Sequence, residues 1–438
     1  MTAEVSIGAG SHARGRGRQK VQTYQKAGKV NLIFAYAVII FSGAFVEQVL
    51  FGGSLVGNRA FSSNTAVNAA LYLPVYIAGF FMLVRSPDTA KLLTPANSMY
   101  FVFALLAVVS AGWAISFRSS AVDGVQLALT IIAGFGFAAR MSIEDMAKTL
   151  SWTCIAMLLG SVIYVFLIPS QGLMSGHEFS ALQGKPQGVF AHKNRYAELA
   201  SLGGFVALAT RGLRPRKERL LLFALALTGL LLAESTAKLA SFGLAVALWF
   251  SWVVIGKSAS FRLFWFVQLI LIIALGVVAL PTVMEWAVNV LGKDITLTGR
   301  TLIWQHSLLV AEQRPIFGYG SGSIWQSPLG IVDTFLGYRP PHSHNTFVEL
   351  YLKFGLFGLV IVFTCVCAAI GHLIGSGPFN MASKLFFLLF MAHLIRAPFE
   401  VVLFRDNQVG FLLWLCVLAM SQRQTIALRT QERPQNNV

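Results

Sequence analysis

A succession of long apolar runs, separated by short polar connections, constrains this chain more than any other feature. An α-helix needs about 20 predominantly apolar residues to cross a bilayer, and several runs reach that length. A soluble chain of 438 residues could not bury a sequence that is 56% hydrophobic and only 12% charged. The pattern therefore predicts an all-α polytopic membrane protein with about twelve transmembrane helices. The expected spans are residues 30–51, 66–84, 98–117, 121–139, 150–168, 196–210, 219–233, 237–256, 261–281, 346–371, 381–398 and 408–421.

The spans divide the chain into five parts. The first 29 residues are polar and basic, and because a span follows them at once they predict a disordered cytoplasmic tail that contacts the lipid bilayer. An RNA-binding tail is the alternative, but no nucleic acid is expected as a partner. The five parts are the tail 1–29, transmembrane helices 1–9 in 30–281, one large periplasmic loop in 282–344, helices 10–12 in 345–421, and a cytoplasmic tail in 422–438.

The distribution of basic residues predicts the topology. If the N-terminal tail is cytoplasmic, that side collects the tail's arginines, the basic run 211–219 and the C-terminal arginines. Both termini are then cytoplasmic, and the connections 169–195 and 282–344 face outward. These two connections still carry cations, which runs against the positive-inside rule and indicates an anionic ligand. The cations are Lys185, Lys193, Arg195, Lys293, Arg300, Arg314 and Arg339.

The large loop contains the residues best suited to chemistry. Thr298 can cap a short amphipathic helix from about Gly299 to Gln313, and the helix should end at Arg314 because a proline follows. The glycines of 318–322 permit a tight turn or a close ligand approach. After His342 and His344, the sequence Thr346-Phe-Val-Glu349 spells a capping box that opens the next span.

Two arginines and a histidine in one loop suit group transfer from a lipid diphosphate. Arg300 and Arg314 can offer forked donors to phosphate oxygens, and His344 can accept a proton. Simpler interpretations remain: His344 could only cap a helix, and the arginines could anchor the loop to lipid headgroups. The histidine pair with Asp333 or Glu349 could also bind a metal. Arg396 and Glu400, one turn apart, are expected to form an ion pair.

These motifs resemble those of the bacterial O-antigen ligase/polymerase (Wzy-type) family, and in particular its exopolysaccharide-polymerase branch. One segment departs from the family pattern, because Glu234-Ser-Thr-Ala-Lys238 stands where a Ser-x-Ser-Arg-like element is expected. The similar elements, in chain order, are Ser110-Ala-Gly-Trp113, Gly188-Val-Phe-x-His192-Lys193-Asn194, Gly299-Arg300 followed by Trp304, Arg314-Pro-x-Phe-Gly-x-Gly320, and His344-Asn345-x9-Gly355-x-x-Gly358.

The resemblance implies a metal-independent, GT-C-like glycosyltransferase without a cofactor, working on the periplasmic face of the bacterial inner membrane. The donor would be a glycan on undecaprenyl diphosphate, and the further partners it implies are a chain-length-regulating membrane protein and a flippase. His344 would be the general base, and Arg300 and Arg314 would stabilise the departing diphosphate. The residues expected to bind substrate are Lys193, Asn194, Arg195, His342, Asn345 and Arg339.

Two other functions stay open. A ligase that moves finished glycan from the lipid diphosphate to lipid A core or to protein would share the loop residues. A polysaccharide transporter or flippase would also be a helical bundle, but it should show inverted repeats or paired broken helices, and the single long loop is placed asymmetrically. Polymerase is favoured over ligase by the His192-Lys-Asn element.

Overall fold

The computed structural model describes residues 28–43, 65–174, 182–272, 275, 300–322, 324–325, 340, 342–377, 381–405 and 408–432. Across these ranges the protein is helical and forms no β-strand, which confirms the all-α prediction. Apart from three four-residue helical turns, the helices are α1 Gly28–Ser42, α2 Thr65–Val84, α3 Pro95–Val109, α4 Phe117–Arg140, α5 Ile143–Leu167, α6 Lys193–Ala209, α7 Arg216–Leu232, α8 Thr236–Ile255, α9 Ala259–Ile272, α10 Arg300–Ala311, α11 Thr346–Ser376, α12 Met381–Arg396 and α13 Val409–Glu432.

Six of the helices in the described ranges are long and apolar enough to cross a membrane, which confirms a polytopic membrane protein. A helix also lies within each of the other expected spans, but these helices are shorter or less apolar. The count of twelve spans and the outward position of the large loop therefore stay predictions. The six are Pro95–Trp113, Phe117–Arg140, Ile143–Leu167, Thr236–Ile255, Thr346–Ser376 and Val409–Ile426.

Helix α10 confirms the short loop helix that the sequence predicts. It runs from Arg300 to Ala311 and so ends slightly before the expected Gln313, and Glu312 and Gln313 separate it from Arg314. Its inner face buries Ile303, Ser307 and Val310, which turn toward α11, while its leucines face outward. The loop helix therefore packs on the membrane helix that begins next to His344.

The bundle is built around two central helices. Helix α4 packs against α2, α3 and α13, and α6 packs against α5, α7, α8 and α12. Helix α11 lies against α3 and α10. Aromatic rings pack the segment between α12 and α13 against this core. Phe404 of that segment packs on Phe103 of α3 with ring centroids 4.6 Å apart, and Phe103 packs on Phe354 of α11 at 5.0 Å.

Helix α11 is broken at Gly355, whereas the sequence predicts one continuous helix. Gly355 has a φ of 63°, a region that residues with a side chain rarely adopt. The break frees backbone groups that segment 315–320 then satisfies. Four hydrogen bonds join the two segments: Leu356 N–H to the Pro315 carbonyl (2.8 Å), Phe357 N–H to Ile316 (3.1 Å), Tyr319 N–H to Leu352 (3.0 Å) and Gly320 N–H to Lys353 (2.9 Å).

Candidate active site

The turn before α11 holds His344 in an unusual backbone conformation. His344 has a φ of 55°, in the left-handed region that costs free energy for a residue with a side chain. Its N–H donates to Nδ1 of His342 at 3.2 Å, and the two rings lie 4.2 Å apart between centroids. The Ser343 hydroxyl donates to the carbonyl of Asn345 at 2.8 Å. Side chains of the turn itself therefore hold the backbone at His344 in this conformation.

The cap of α11 lies one residue earlier than the sequence predicts. Asn345 is the N-cap, and its side-chain oxygen accepts the N–H groups of Phe347 (2.9 Å) and Val348 (3.1 Å). The predicted capping box of Thr346 and Glu349 is wrong, because the Thr346 hydroxyl donates to the Glu400 carbonyl and the Glu349 carboxylate is also engaged outside the box. Glu349 accepts the N–H of Ser343 at 2.9 Å and so reaches back across the turn that carries His344.

Helix α10 docks on this turn through its polar side chains. Trp304 Nε1 donates to the Ser343 carbonyl at 2.9 Å. Arg300, at the start of the helix, donates from Nη1 to the carbonyl of Phe399 at 3.0 Å. Phe399 belongs to segment 397–402, which directly follows α12. The three pieces of chain that meet at His344 are thus the loop helix, the start of α11 and segment 397–402.

Burial and nearby charges keep the imidazole of His344 neutral. Burial, and then the positive charge of Arg300, lowers the pKa of His344 to about 4, against the opposing effect of Glu400. The pKa of His342 lies well below its usual range, first because the ring is buried and then because Arg405 is near. Both rings are therefore free bases at neutral pH, and His344 can accept a proton.

A polar cavity of about 130 Å³ is lined by His342, whose ring contacts that of His344. Such a volume is several times what one water molecule occupies. Its wall combines carboxylates, cations and aromatic rings from α4, α11 and the segment after α12. The polar lining residues are Asp123, Ser321, His342, Glu349, Lys353 and Arg405, and Phe354 and Phe404 are among the apolar ones. A mixture of donors, acceptors and ring faces suits a hydroxyl-rich ligand.

Arg314 makes its contacts beside the third membrane helix. Its Nη1 donates to the carbonyl of Trp113 at 3.0 Å, and its guanidinium lies over the ring of Tyr319, 4.8 Å from the centroid. Trp113 Nε1 returns a hydrogen bond of 3.2 Å to the Phe317 carbonyl. These contacts attach segment 315–320 to the bundle, and the expected role of Arg314 at the diphosphate stays a prediction.

The glycines of 318–322 permit close approach to protein backbone. A Cβ on Gly318, whose φ is 65°, would lie 2.5 Å from the carbonyl carbon of Lys353, and one on Gly320 would lie 2.6 Å from Cβ of Ala114. The sequence left two expectations for these glycines, a tight turn and a close approach to a ligand, and the structure confirms the tight turn. The motif therefore packs the loop into the break of α11.

The upstream candidates meet the start of α8. Lys193 donates from Nζ to the carbonyl of Glu234 at 3.0 Å, and Asn194 accepts from the Ser235 hydroxyl at 3.2 Å. Arg195 donates to the carbonyl of Phe41 at 3.5 Å. Their part in substrate binding stays a prediction. Arg339 and Asp333 lie outside the described residues, as do Thr298 and Gly299.

A buried charged network links these two groups of candidates, and sequence reasoning missed it. Lys238 on α8 pairs with Glu400 at 2.5 Å, and Arg396 lies between Glu400 (3.6 Å) and Glu198 of α6 (3.9 Å). The expected Arg396–Glu400 pair is confirmed as one part of this network. Burial alone would raise the pKa of Glu400, but Lys238 and Arg396 outweigh it and set the pKa at about 2. Charged residues inside apolar spans were the available signal.

Within the part of the chain that the structure describes, no group of three His, Cys, Asp or Glu side chains could hold a metal ion. The carboxylate of Glu349, one of the ligands considered, contacts the Trp325 Nε1 at 3.0 Å and the Lys353 ammonium at 3.2 Å. The Glu349 carboxylate is therefore bonded to protein groups and not to the histidine rings.

Two comparisons with known proteins bear on this site. The family profile described as O-antigen ligase matches residues 221–363, a stretch that runs from α7 into α11 and includes Lys238, Arg300 and His344. The chain is also 26% identical over 340 residues to the exopolysaccharide production protein ExoQ of Rhizobium meliloti (strain 1021). That alignment covers 72% of this chain and 74% of the relative. The matched profile thus contains the loop helix, the glycine segment and the histidine pair.

Proposed function

Because this chain belongs to the O-antigen ligase/polymerase family, we propose that it polymerises oligosaccharide repeat units carried on undecaprenyl diphosphate. The reaction takes place on the periplasmic face of the inner membrane and makes an exopolysaccharide or O-antigen. One observation carries the proposal: a neutral imidazole, His344, is held at the entry of a membrane helix with Arg300 beside it. A base next to a phosphate-binding cation suits glycosyl transfer from a diphosphate.

The proposed reaction has a simple balance of bonds and protons. The acceptor hydroxyl oxygen attacks the anomeric carbon, while the bond from that carbon to the diphosphate oxygen breaks. His344 takes the hydroxyl proton. The electron pair of the broken bond leaves with the polyprenyl diphosphate, whose growing negative charge Arg300 stabilises. Arg314 is the second proposed donor to the diphosphate, and no metal ion is required to balance the reaction.

Donor binding should make His344 a stronger base. In the free protein the charge of Arg300 lowers the pKa of His344. A diphosphate on Arg300 offsets that charge and adds negative charge close to the imidazole, so the pKa rises. His344 therefore stays unprotonated while the site is empty and gains basicity once the donor is bound.

The cavity beside His342 is the proposed place of the acceptor sugar. Its wall offers both hydrogen-bond donors, from Lys353 and Arg405, and an acceptor, from Asp123. His342 lines the cavity and contacts the ring of His344. A sugar in this cavity would bring a hydroxyl close to the base, and Lys193, Asn194, Arg195, Asn345 and Arg339 remain proposed contacts to the rest of the substrate.

A ligase is the second candidate, because the matched profile is described as O-antigen ligase. The similarity to an exopolysaccharide production protein favours the polymerase. A flippase is less well supported, because transporter sites use the free ends of broken helices. Here the backbone groups at the break of α11 are bonded to segment 315–320.

The test uses a deletion strain that carries wild type, His344→Ala, Arg300→Ala or the control His306→Ala, which removes a histidine of α10 outside the site. Membrane insertion is checked, and lipid-linked glycans are extracted and sized. If the protein is a polymerase, wild type and the control should make long glycan chains, and the two site variants should leave single repeat units on the lipid. If the site variants instead accumulate long lipid-linked chains that are not transferred to another acceptor, the protein is a ligase. Normal polymer from both site variants contradicts the site.

A further inference from the structure

Four charged side chains meet in the bundle, where a buried charge is costly. The side chains of Lys238, Arg396 and Glu198 are largely buried, and that of Glu400 is 30% exposed. Lys238 of α8 is only 2% exposed, and its ammonium donates to the Glu400 carboxylate at 2.5 Å. Arg396 lies 3.6 Å from Glu400 and 3.9 Å from Glu198. Three of these residues come from α6, α8 and α12, and only Glu400 belongs to an irregular segment. The network therefore ties segment 397–402 to the helices.

Segment 397–402 is bonded directly to the residues that carry the proposed chemistry. The carbonyl of Phe399 accepts from Arg300 at 3.0 Å. The other bonds go to Thr346, which opens α11 two residues after His344. They are Thr346 N–H to the Ala397 carbonyl (2.8 Å), Thr346 Oγ1 to the Glu400 carbonyl (2.7 Å) and Val402 N–H to Thr346 Oγ1 (3.1 Å).

We propose that the Lys238–Glu400 ion pair is a positioning device, which fixes segment 397–402 so that its backbone holds Arg300 and the helix start that carries His344. This inference rests on the proposed function for its catalytic consequence. Lys238 thus acts through Glu400, and neither residue needs to touch the substrate. The ion pair joins residues that are 162 positions apart in the sequence. It also assigns a role to Lys238, which stands where an arginine-containing element is expected.

The chemistry of a buried ion pair gives the inference a distinctive signature. Removal of one partner leaves an uncompensated charge in largely apolar surroundings, so the segment should move to bring more water to that charge. Removal of both partners leaves neutral groups, and the segment can stay close to its place. The double variant should therefore be no worse than the more impaired single variant, whereas independent roles would multiply their effects.

The experiment compares Lys238→Met, Glu400→Gln, the double variant and Lys238→Arg, purified in nanodiscs. Hydrogen–deuterium exchange is followed in peptides that cover 343–349 and 397–404. Turnover is measured with lipid-linked repeat units extracted from the deletion strain. Each neutral single variant is expected to exchange faster in both peptides and to lose roughly 100-fold in kcat, the effect of a misplacement of about 1 Å. Lys238→Arg keeps the charge and should keep most of both properties.

The matched control is Glu218→Gln, which breaks another partly buried ion pair, Arg214–Glu218, at the start of α7. It should leave exchange in the two peptides and kcat at wild-type values. Unchanged exchange in Lys238→Met, or a double variant whose kcat loss equals the product of the single losses, overturns the inference. If wild type transfers no glycan, the proposed function fails, while the exchange data still decide whether the pair holds the segment.

Discussion

The protonation of His344 is set by the residues that surround it. Arg300 and Arg405 oppose a positive charge on the imidazole, and Glu400 and Glu349 favour it. Burial is the largest influence, and the balance leaves the pKa at about 4. An imidazole with this pKa is unprotonated in the free protein at every physiological pH, as the proposed general base has to be.

The pH dependence of the reaction should report this balance. The base must be unprotonated, so kcat/KM of wild type, which reflects the free protein, should fall only as the pH drops toward 4. Arg300→Gln removes a charge that lowers the pKa, so its fall should begin at higher pH. In wild type the acid limb of kcat should also lie at higher pH than that of kcat/KM, because the bound diphosphate raises the pKa. If Arg300→Gln leaves the acid limb of kcat/KM at the wild-type pH, the charge of Arg300 does not control the pKa of His344.

His342 should act through its Nδ1 atom. An asparagine side chain can accept the same N–H two residues ahead, as in an Asx turn. His342→Asn is therefore expected to keep most of the kcat, and His342→Ala to lose roughly 10- to 100-fold, since nothing then fixes the left-handed His344. Both variants are assayed for transfer at equal membrane amounts. Equal loss in the two would mean that the imidazole of His342 has another duty.

At the scale of elements, the break in α11 explains the glycine-rich loop motif. Segment 315–320 supplies hydrogen-bond partners to both ends of the break, and Gly318 and Gly355 allow the two backbones to approach. Arg314 and Trp113 then attach the segment to α3. The motif therefore builds the support of the site, which sequence alone could not distinguish from a ligand loop.

Substitution of the glycine at the break should be far more harmful than substitution elsewhere in the helix. In Gly355→Ala a Cβ would lie 2.3 Å from the Ile316 carbonyl oxygen at a φ of 63°. The variant is expected to be destabilised by about 1–3 kcal/mol or more. Gly371→Ala, in the same helix and with nothing within 4 Å, is the control and should be neutral or stabilised by about 0.5–1 kcal/mol. Thermal unfolding in detergent measures both, and equal Tm values would contradict the break.

The secondary structure was largely predictable, but its contacts were not. Apolar run length predicted the apolar helices, and Pro315 predicted that α10 ends before Arg314, because these are local properties. The cap of α11 moved to Asn345 because Thr346 bonds to segment 397–402, which is distant in sequence. The Lys238–Glu400 pair is equally non-local. Local patterns carry no information on such partners.

On the scale of the whole molecule, the charge distribution makes a prediction about topology. Both termini should be cytoplasmic, and the loop 282–344 should be periplasmic, because the strongest basic clusters then face the cytoplasm. A fluorescent-protein fusion after residue 438 should therefore fluoresce, and an alkaline phosphatase fusion after residue 325 should be active. An inactive phosphatase fusion from a stably inserted protein would reverse the assignment and move His344 to the cytoplasmic side.

The central claim is that this protein joins glycans by displacement of polyprenyl diphosphate, with His344 as the base. The most direct measurement supplies purified protein in proteoliposomes with lipid-linked repeat units and follows glycan length and released diphosphate lipid together. Wild type should lengthen the lipid-linked chains and release one diphosphate lipid for each new linkage, and His344→Ala should do neither. Chain growth at the wild-type rate in His344→Ala, or no release of diphosphate lipid by wild type, would contradict the account.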